Sequence, residues 1–164
     1  MRTKMTIEDL ILQTKGIGDA LAAIVAHFGA DSGTAHFLAE DGLLHLAAAT
    51  PGIPEPVLAA IKTIPVGKGM AGLAVEHGRP IDACNIQTDT SGSVRPGARA
   101  TGLSGAVVVP MFRGETVAGA LGIATRHECT FSEEEIEELL GAGRALAAHA
   151  SGGADAAATQ GDDK

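Results

Sequence analysis

The segment from Thr116 to Ala124 constrains this chain more than any other. Val117, Gly119, Leu121 and Ile123 alternate with Ala118, Ala120, Gly122 and Ala124. A period of two sends neighbouring side chains to opposite faces of a strand. One face then carries only alanine and glycine, so a helix or a ligand can approach that backbone closely. Ala106 to Phe112 lies just before it, and Arg113-Gly114 between them predicts a hairpin turn. A second hairpin is expected earlier, with strands at Thr34 to Ala39 and Leu43 to Thr50 joined by Glu40-Asp41-Gly42. Ile81 to Ile86 reads as a further strand.

Helical segments frame these strands. Thr6 is an N-cap with Glu8 and Asp9 in the first turn, where the helix dipole favours acids. Asp19 is expected to cap a second helix through Phe28, with Leu21, Ile24, Val25 and Phe28 on one face and Gly29 as its stop. Pro51, Pro54 and Pro56 punctuate a crossover holding a short helix near Val57 to Ile61, and another helix spans Met70 to Glu76. Ser132 and Glu135 form a capping box for the last helix, and Phe131 and Ile136 its hydrophobic staple. Its seam runs through Ile136, Leu139, Leu140, Gly143 and Leu146. The stretch from Ser151 to Lys164 has no period and is expected to be a disordered tail. Between Gln87 and Gly102 lies a long polar connection without period, the first place to look for a site.

With 164 residues, 45% hydrophobic and 20% charged, the chain has the makings of one domain with its own core. Its net charge of −8 argues against nucleic acid, whose phosphates need clustered Lys and Arg. Four Phe with no Tyr or Trp leave almost nothing for base stacking or an aromatic cage. Apolar runs are too short to span a bilayer and the N-terminus lacks a signal-peptide pattern, so no membrane partner is expected. Two cysteines make no disulfide framework, and a reduced, cytoplasmic protein is expected.

The order of elements, together with three stretches, resembles the GAF domain family. Ile64-Pro65-Val66-Gly67-Lys68-Gly69-Met70-Ala71-Gly72-Leu73-Ala74 is similar to its glycine loop and following helix. Gly102-Leu103-Ser104-Gly105-Ala106-Val107-Val108-Val109-Pro110-Met111 is similar to its loop-to-strand passage. Gly119-Ala120-Leu121-Gly122-Ile123, followed by Phe131-Ser132-Glu133-Glu134-Glu135, resembles its last strand and closing helix. The resemblance implies an α+β fold: an antiparallel sheet with the terminal helices on one face and a ligand pocket on the other. It implies a helical extension over 1–16, the GAF-like domain over 17–150 and the tail over 151–164. It also implies a small-molecule-binding sensor that acts through a separate output protein, since no output segment is recognisable in the chain.

Each candidate site residue has a plainer alternative. Gly67, Gly69 and Gly72 fit G-x-G-x-x-G, but the proline-rich segment before them is a poor buried strand for a dinucleotide fold. As a GAF loop, the same residues lead into a helix start whose free N–H groups favour an anion. Nitrate-sensing members of the family bind there, which points to Gly69, Met70 and Ala71. Met70 and Leu73 are expected to roof the pocket together with the Gln87–Gly102 loop. Arg95 and Arg99 in that loop are either an anion clamp or two solvated charges. Cys84 and Ser104 complete the expected ligand-binding set, although a cysteine with the apolar neighbours of Cys84 is more often a core residue. His36 and His45 could pair across the first hairpin, and the six histidines show no metal-ligand spacing. No metal and no cofactor are expected.

The ligand expected is small and anionic, or mixed apolar and anionic. The alternative function is a redox enzyme resembling free methionine-(R)-sulfoxide reductase. Its main catalytic cysteine would fall near Arg99, yet no cysteine lies between Asn85 and Glu128. Bilin- and haem-binding members need a cysteine or a histidine in the same loop, and neither occurs. Finally, Gly141, Ala142, Ala145 and Ala148 beside the last helix's seam suggest a homodimer formed by the terminal helices.

Overall fold

A computed structural model describes residues 6–87, 102–128 and 130–161, the last eleven through their backbone alone. The chain runs α1 (Ile7–Gln13), α2 (Ile17–His27), β1 (Ser32–Leu38), β2 (Leu43–Ala49), α3 (Glu55–Ile61), β3 (Thr63–Pro65), α4 (Gly69–His77), β4 (Ile81–Ala83), β5 (Gly105–Arg113), β6 (Thr116–Thr125) and α5 (Glu133–Gly161). The six strands form one antiparallel sheet in the order β3-β2-β1-β6-β5-β4. The last hairpin thus inserts beside β1, and β1 and β6 meet at the middle of the sheet.

The α+β architecture is the one expected, with α1, α2 and α5 on one face. Ile7, Ile11, Leu21, Ile24, Leu139 and Leu146 bury against Ala35, Val107, Val109, Leu121 and Ile123 of the sheet. Burying each such aliphatic side chain contributes roughly 1.5–3 kcal/mol, so this face is the main source of stability. The opposite face is covered by α4, whose Ala71 and Val75 pack with Leu44, Ile64 and Ala120. A smaller cluster there joins Met70 to Ala83, Ile86, Leu103 and Ala106.

Several local expectations change in the tertiary context. The alternation in β6 breaks at a bulge: Met111 pairs with Gly119 but Phe112 pairs with Val117, leaving Ala118 unopposed. Val117 therefore packs with the α4-side cluster while Ala118, Leu121 and Ile123 join the terminal-helix core. An extra residue in one strand reverses the facing of everything before it. The N-cap of α2 is Gly16, with no side-chain cap bond, and Asp19 sits inside the first turn. Strand β4 stops at Ala83 rather than Ile86, because Asn85 turns the chain by accepting the Gln87 N–H at 2.9 Å. Thr63–Pro65 adds a short edge strand, where a proline costs no ladder bond. Helix α5 continues to Gly161 instead of ending near Ala150.

Helix α1 belongs to the main core rather than extending from it. Its capping box is complete, with Asp9 N–H donating to Thr6 Oγ1 at 3.1 Å and Thr6 N–H donating to Asp9 at 3.2 Å. It lies on α5 where the small residues are: a Cβ on Gly141 would collide with the Glu8 carboxylate. Ala142 and Ala145 are 0% and 9% exposed. The stripe that suggested a dimer is thus already covered, in large part, by the chain's own first helix.

Candidate functional site

A cavity of about 310 Å3 lies between the sheet and the α3–α4 side, opposite the terminal helices. Its floor is built where β1 and β6 pair. Ser32, Thr34 and His36 stand beside Ala124, Gly122 and Ala120 in register, and all but Ala120 line the cavity. The small residues of β6 are what leave the space. A Cβ on Gly122 would stand 3.1 Å from Val108 Cγ2 and 3.5 Å from Thr34 Oγ1, so any larger side chain there projects into the cavity. Val57, Ala60 and Ile61 of α3, with Ile53 before it, wall one side. Ile86, Leu103 and the start of α4 wall the other.

The glycine pattern at 67, 69 and 72 earns its place through backbone packing. Gly67 and Gly69 have φ of 91° and 66°, values that side chains rarely adopt. The loop folds back on α4, with Gly67 N–H donating to Gly72 C=O at 2.9 Å and Lys68 N–H donating to Pro65 C=O at 3.1 Å. A Cβ on Gly72 would lie 2.5 Å from the Pro65 carbonyl oxygen. The result sets the first turn of α4 on the cavity wall, with Lys68, Gly69, Met70 and Ala71 lining it. First-turn N–H groups have no partner within a helix, and that end of the dipole is positive.

His36 is the cavity's buried titratable group. It is 2% exposed, and its Nε2 lies 2.8 Å from the carbonyl oxygen of Ile61, the last residue of α3. A carbonyl can only accept, so Nε2 carries the proton. Burial lowers the ring's pKa below its ordinary 6.5, opposed in part by the bond to Ile61. Above 6.5 neither the folded nor the unfolded chain protonates this ring. As pH falls below 6.5 the unfolded chain takes up a proton that the fold resists, so stability drops until the folded-state pKa is passed. Urea unfolding across that acid range should show this decline, and His36→Gln should flatten it. An unchanged acid limb in the variant would remove His36 as its source.

The expected site residues divide. Gly69, Met70 and Ala71 line the cavity, whereas Leu73, Cys84 and Ser104 do not. Leu73 is half-buried farther along α4. Cys84 is exposed beyond β4, with Thr130 Oγ1 at 3.7 Å from its sulfur. Ser104 is engaged through its backbone, donating to Thr125 C=O at 2.7 Å and accepting from Ile86 N–H. Arg95, Arg99 and most of the expected Gln87–Gly102 roof lie outside the described residues, as does Cys129. His36 and His45 do not pair: His36 stands opposite Leu46 and faces the cavity, while His45 bonds Asp41 at 2.8 Å. Sequence reasoning passed over Ser32 and Thr34, although polar residues at 32, 34 and 36 follow a strand's period of two. Among the described residues, no cluster of His, Cys, Asp or Glu could hold a metal ion, and no helix is long and apolar enough to cross a membrane.

One antiparallel sheet, terminal helices on one face and a small cavity under crossover helices on the other define the class of this protein, an α+β domain with its cavity opposite the terminal helices. The family model of the GAF domain matches residues 14–150, and the chain belongs to that family. No curated protein matches the sequence. Among solved structures, the GAF domain of a phosphoenolpyruvate-protein phosphotransferase from Coxiella burnetii is similar at 20% identity and a TM-score of 0.73, covering 93% of this chain and 92% of that one. The corresponding domain from Acinetobacter gives 17% identity and 0.70, with 87% of each chain covered. Free methionine-R-sulfoxide reductase from Neisseria meningitidis, solved with its substrate, gives 19% and 0.68, covering 87% and 83%. At these identities the likeness carries the fold and nothing finer.

Proposed function

We propose that this chain is a non-catalytic sensor module that binds a small molecule and passes the signal to a separate output protein. The observation that carries this reading is the 310 Å3 cavity, at the small end of the ~300–1,000 Å3 range of ligand sites. Its walls are mostly apolar, a few polar groups converge on it, and the positive end of α4 favours an anionic or mixed apolar–anionic ligand. Native mass spectrometry of the purified protein should reveal a bound small molecule. Ala124→Leu, which puts a branched side chain on the cavity floor, should abolish that binding while leaving the unfolding midpoint nearly unchanged. Undiminished binding in this variant would place the ligand elsewhere and overturn the reading.

A homodimer through the terminal helices remains part of the proposal, with a different surface. It would use outward positions such as Leu12, which is 57% exposed, because Ala142 and Ala145 are occupied within the chain.

The second reading is a redox enzyme of the sulfoxide reductase type. Its support is the likeness to the Neisseria enzyme and the exposed thiol of Cys84. Against it stands the sequence between Asn85 and Glu128, which holds no cysteine. Turnover of free methionine-R-sulfoxide with a thiol donor tests it, and no turnover is expected.

A further inference from the structure

We infer that His36 is the ligand-discriminating residue of the cavity, and that it selects a molecule bringing an O–H or N–H donor to its Nδ1. The inference rests on the sensor reading and names the chemistry of the molecule sensed.

The bond to Ile61 is decisive. With the proton held on Nε2 by a carbonyl at 2.8 Å, Nδ1 must present a lone pair. Among the described residues Nδ1 has no protein partner, yet no buried side-chain nitrogen or oxygen there is both sealed off and unpaired. The residue is 2% exposed and lines the cavity, so the open side of Nδ1 is the cavity itself. Depression of the ring's pKa by burial keeps it a neutral acceptor near pH 7.

The neighbouring positions sharpen the choice. Thr34 Oγ1 also lacks a protein partner among the described residues, and it reaches the middle of the floor beside Gly122. Ser32 Oγ is held by Thr50 Oγ1 at 3.3 Å. Three polar groups thus follow one another along β1 on a floor that is otherwise Ala, Gly, Val and Ile. A wholly apolar occupant would strip water from Nδ1 and return nothing, whereas a donor would satisfy it. Sites built to hydrogen-bond a substrate group reject analogues lacking it far more strongly than apolar pockets reject a missing methylene. Volume limits the rest. At about 30 Å3 per water, the cavity holds roughly ten water-sized groups, which suits a ligand of about a dozen non-hydrogen atoms.

A matched pair of probes tests this: 4-hydroxyphenylacetate and 4-methylphenylacetate, equal in charge and nearly equal in size. Titration of the full chain by calorimetry should give at least tenfold tighter binding of the hydroxyl probe. His36→Gln keeps a donor for the Ile61 carbonyl but moves the acceptor, and it should reduce the preference to less than about twofold. Long-range 1H–15N spectra of the wild-type ring supply a readout that does not depend on the variant folding. The unprotonated Nδ1 signal should move with the hydroxyl probe and stay in place with the methyl probe. Equal binding of both probes, or an unmoved Nδ1, would leave the cavity a ligand site but overturn the role of His36. Binding of neither would overturn the inference and take from the sensor reading its mixed apolar–anionic ligand.

Discussion

Replacing Gly119 by alanine should destabilise the protein by about 3 kcal/mol or more, at the upper end of single substitutions. Gly119 lies in β6 between Phe37 of β1 and Met111 of β5, beside the bulge at Ala118. A Cβ there would collide with the His36 carbonyl oxygen, and would stand 3.0 Å from both Phe37 Cα and Met111 Cε. Two of these neighbours are backbone atoms of a central strand, which can yield only by breaking sheet pairing. Gly18→Ala is the matching control. It sits in α2 with nothing within 4 Å of the new methyl, and it should stabilise by about 0.5–1 kcal/mol through helix propensity. Urea unfolding of both variants measures the contrast. A Gly119→Ala protein within 1 kcal/mol of wild type would mean that β1 and β6 do not approach as closely as described.

Ala145→Glu should cost a comparable amount, about 3 kcal/mol or more, because it forces a carboxylate into the core between α5 and its neighbours. Ala145 is 9% exposed and packs within the cluster that includes Ile7, Ile11 and Leu21. The Glu8 carboxylate of α1 already lies over Gly141 of α5, and a second carboxylate gains no compensating charge from it. Ala148, one position from the buried Ala147, is exposed, and Ala148→Glu should fall within about 0.5 kcal/mol of wild type. The pair distinguishes an intrachain role for the stripe from a dimer interface. If Ala145→Glu dissociated an oligomer without loss of monomer stability, the packing of α1 on α5 would not be what buries this residue.

These two substitutions also mark where sequence patterns reach their limit. Period and capping chemistry made the helices and both hairpins legible, because 3.6- and 2-residue repeats and an S-x-x-E box act within a few residues. The glycine loop at 67–72 was legible as a motif, and Gly69, Met70 and Ala71 do meet the cavity. The bulge at Ala118 was not, since an extra residue in a ladder leaves no mark in the strand that contains it. The same holds for the small stripe on α5. Its composition shows that something approaches closely, but whether α1 or a second copy does so depends on how the chain returns.

The site itself shows the division most clearly. Local sequence determined that residues 32, 34 and 36 alternate with Gly33 and Ala35, that β6 carries only Ala and Gly at 120, 122 and 124, and that a helix follows the glycines at 67 and 69. Only the tertiary structure decided that β6 lies beside β1, that the bare face of one flanks the polar face of the other, and that α3 closes over both. Side-chain period is a property of the backbone within one strand, whereas strand order is set by which apolar surfaces bury each other across the whole chain. His36 became a candidate ligand contact only when the last carbonyl of α3, 25 residues onward, accepted a hydrogen bond from its Nε2–H and left the other nitrogen facing the cavity.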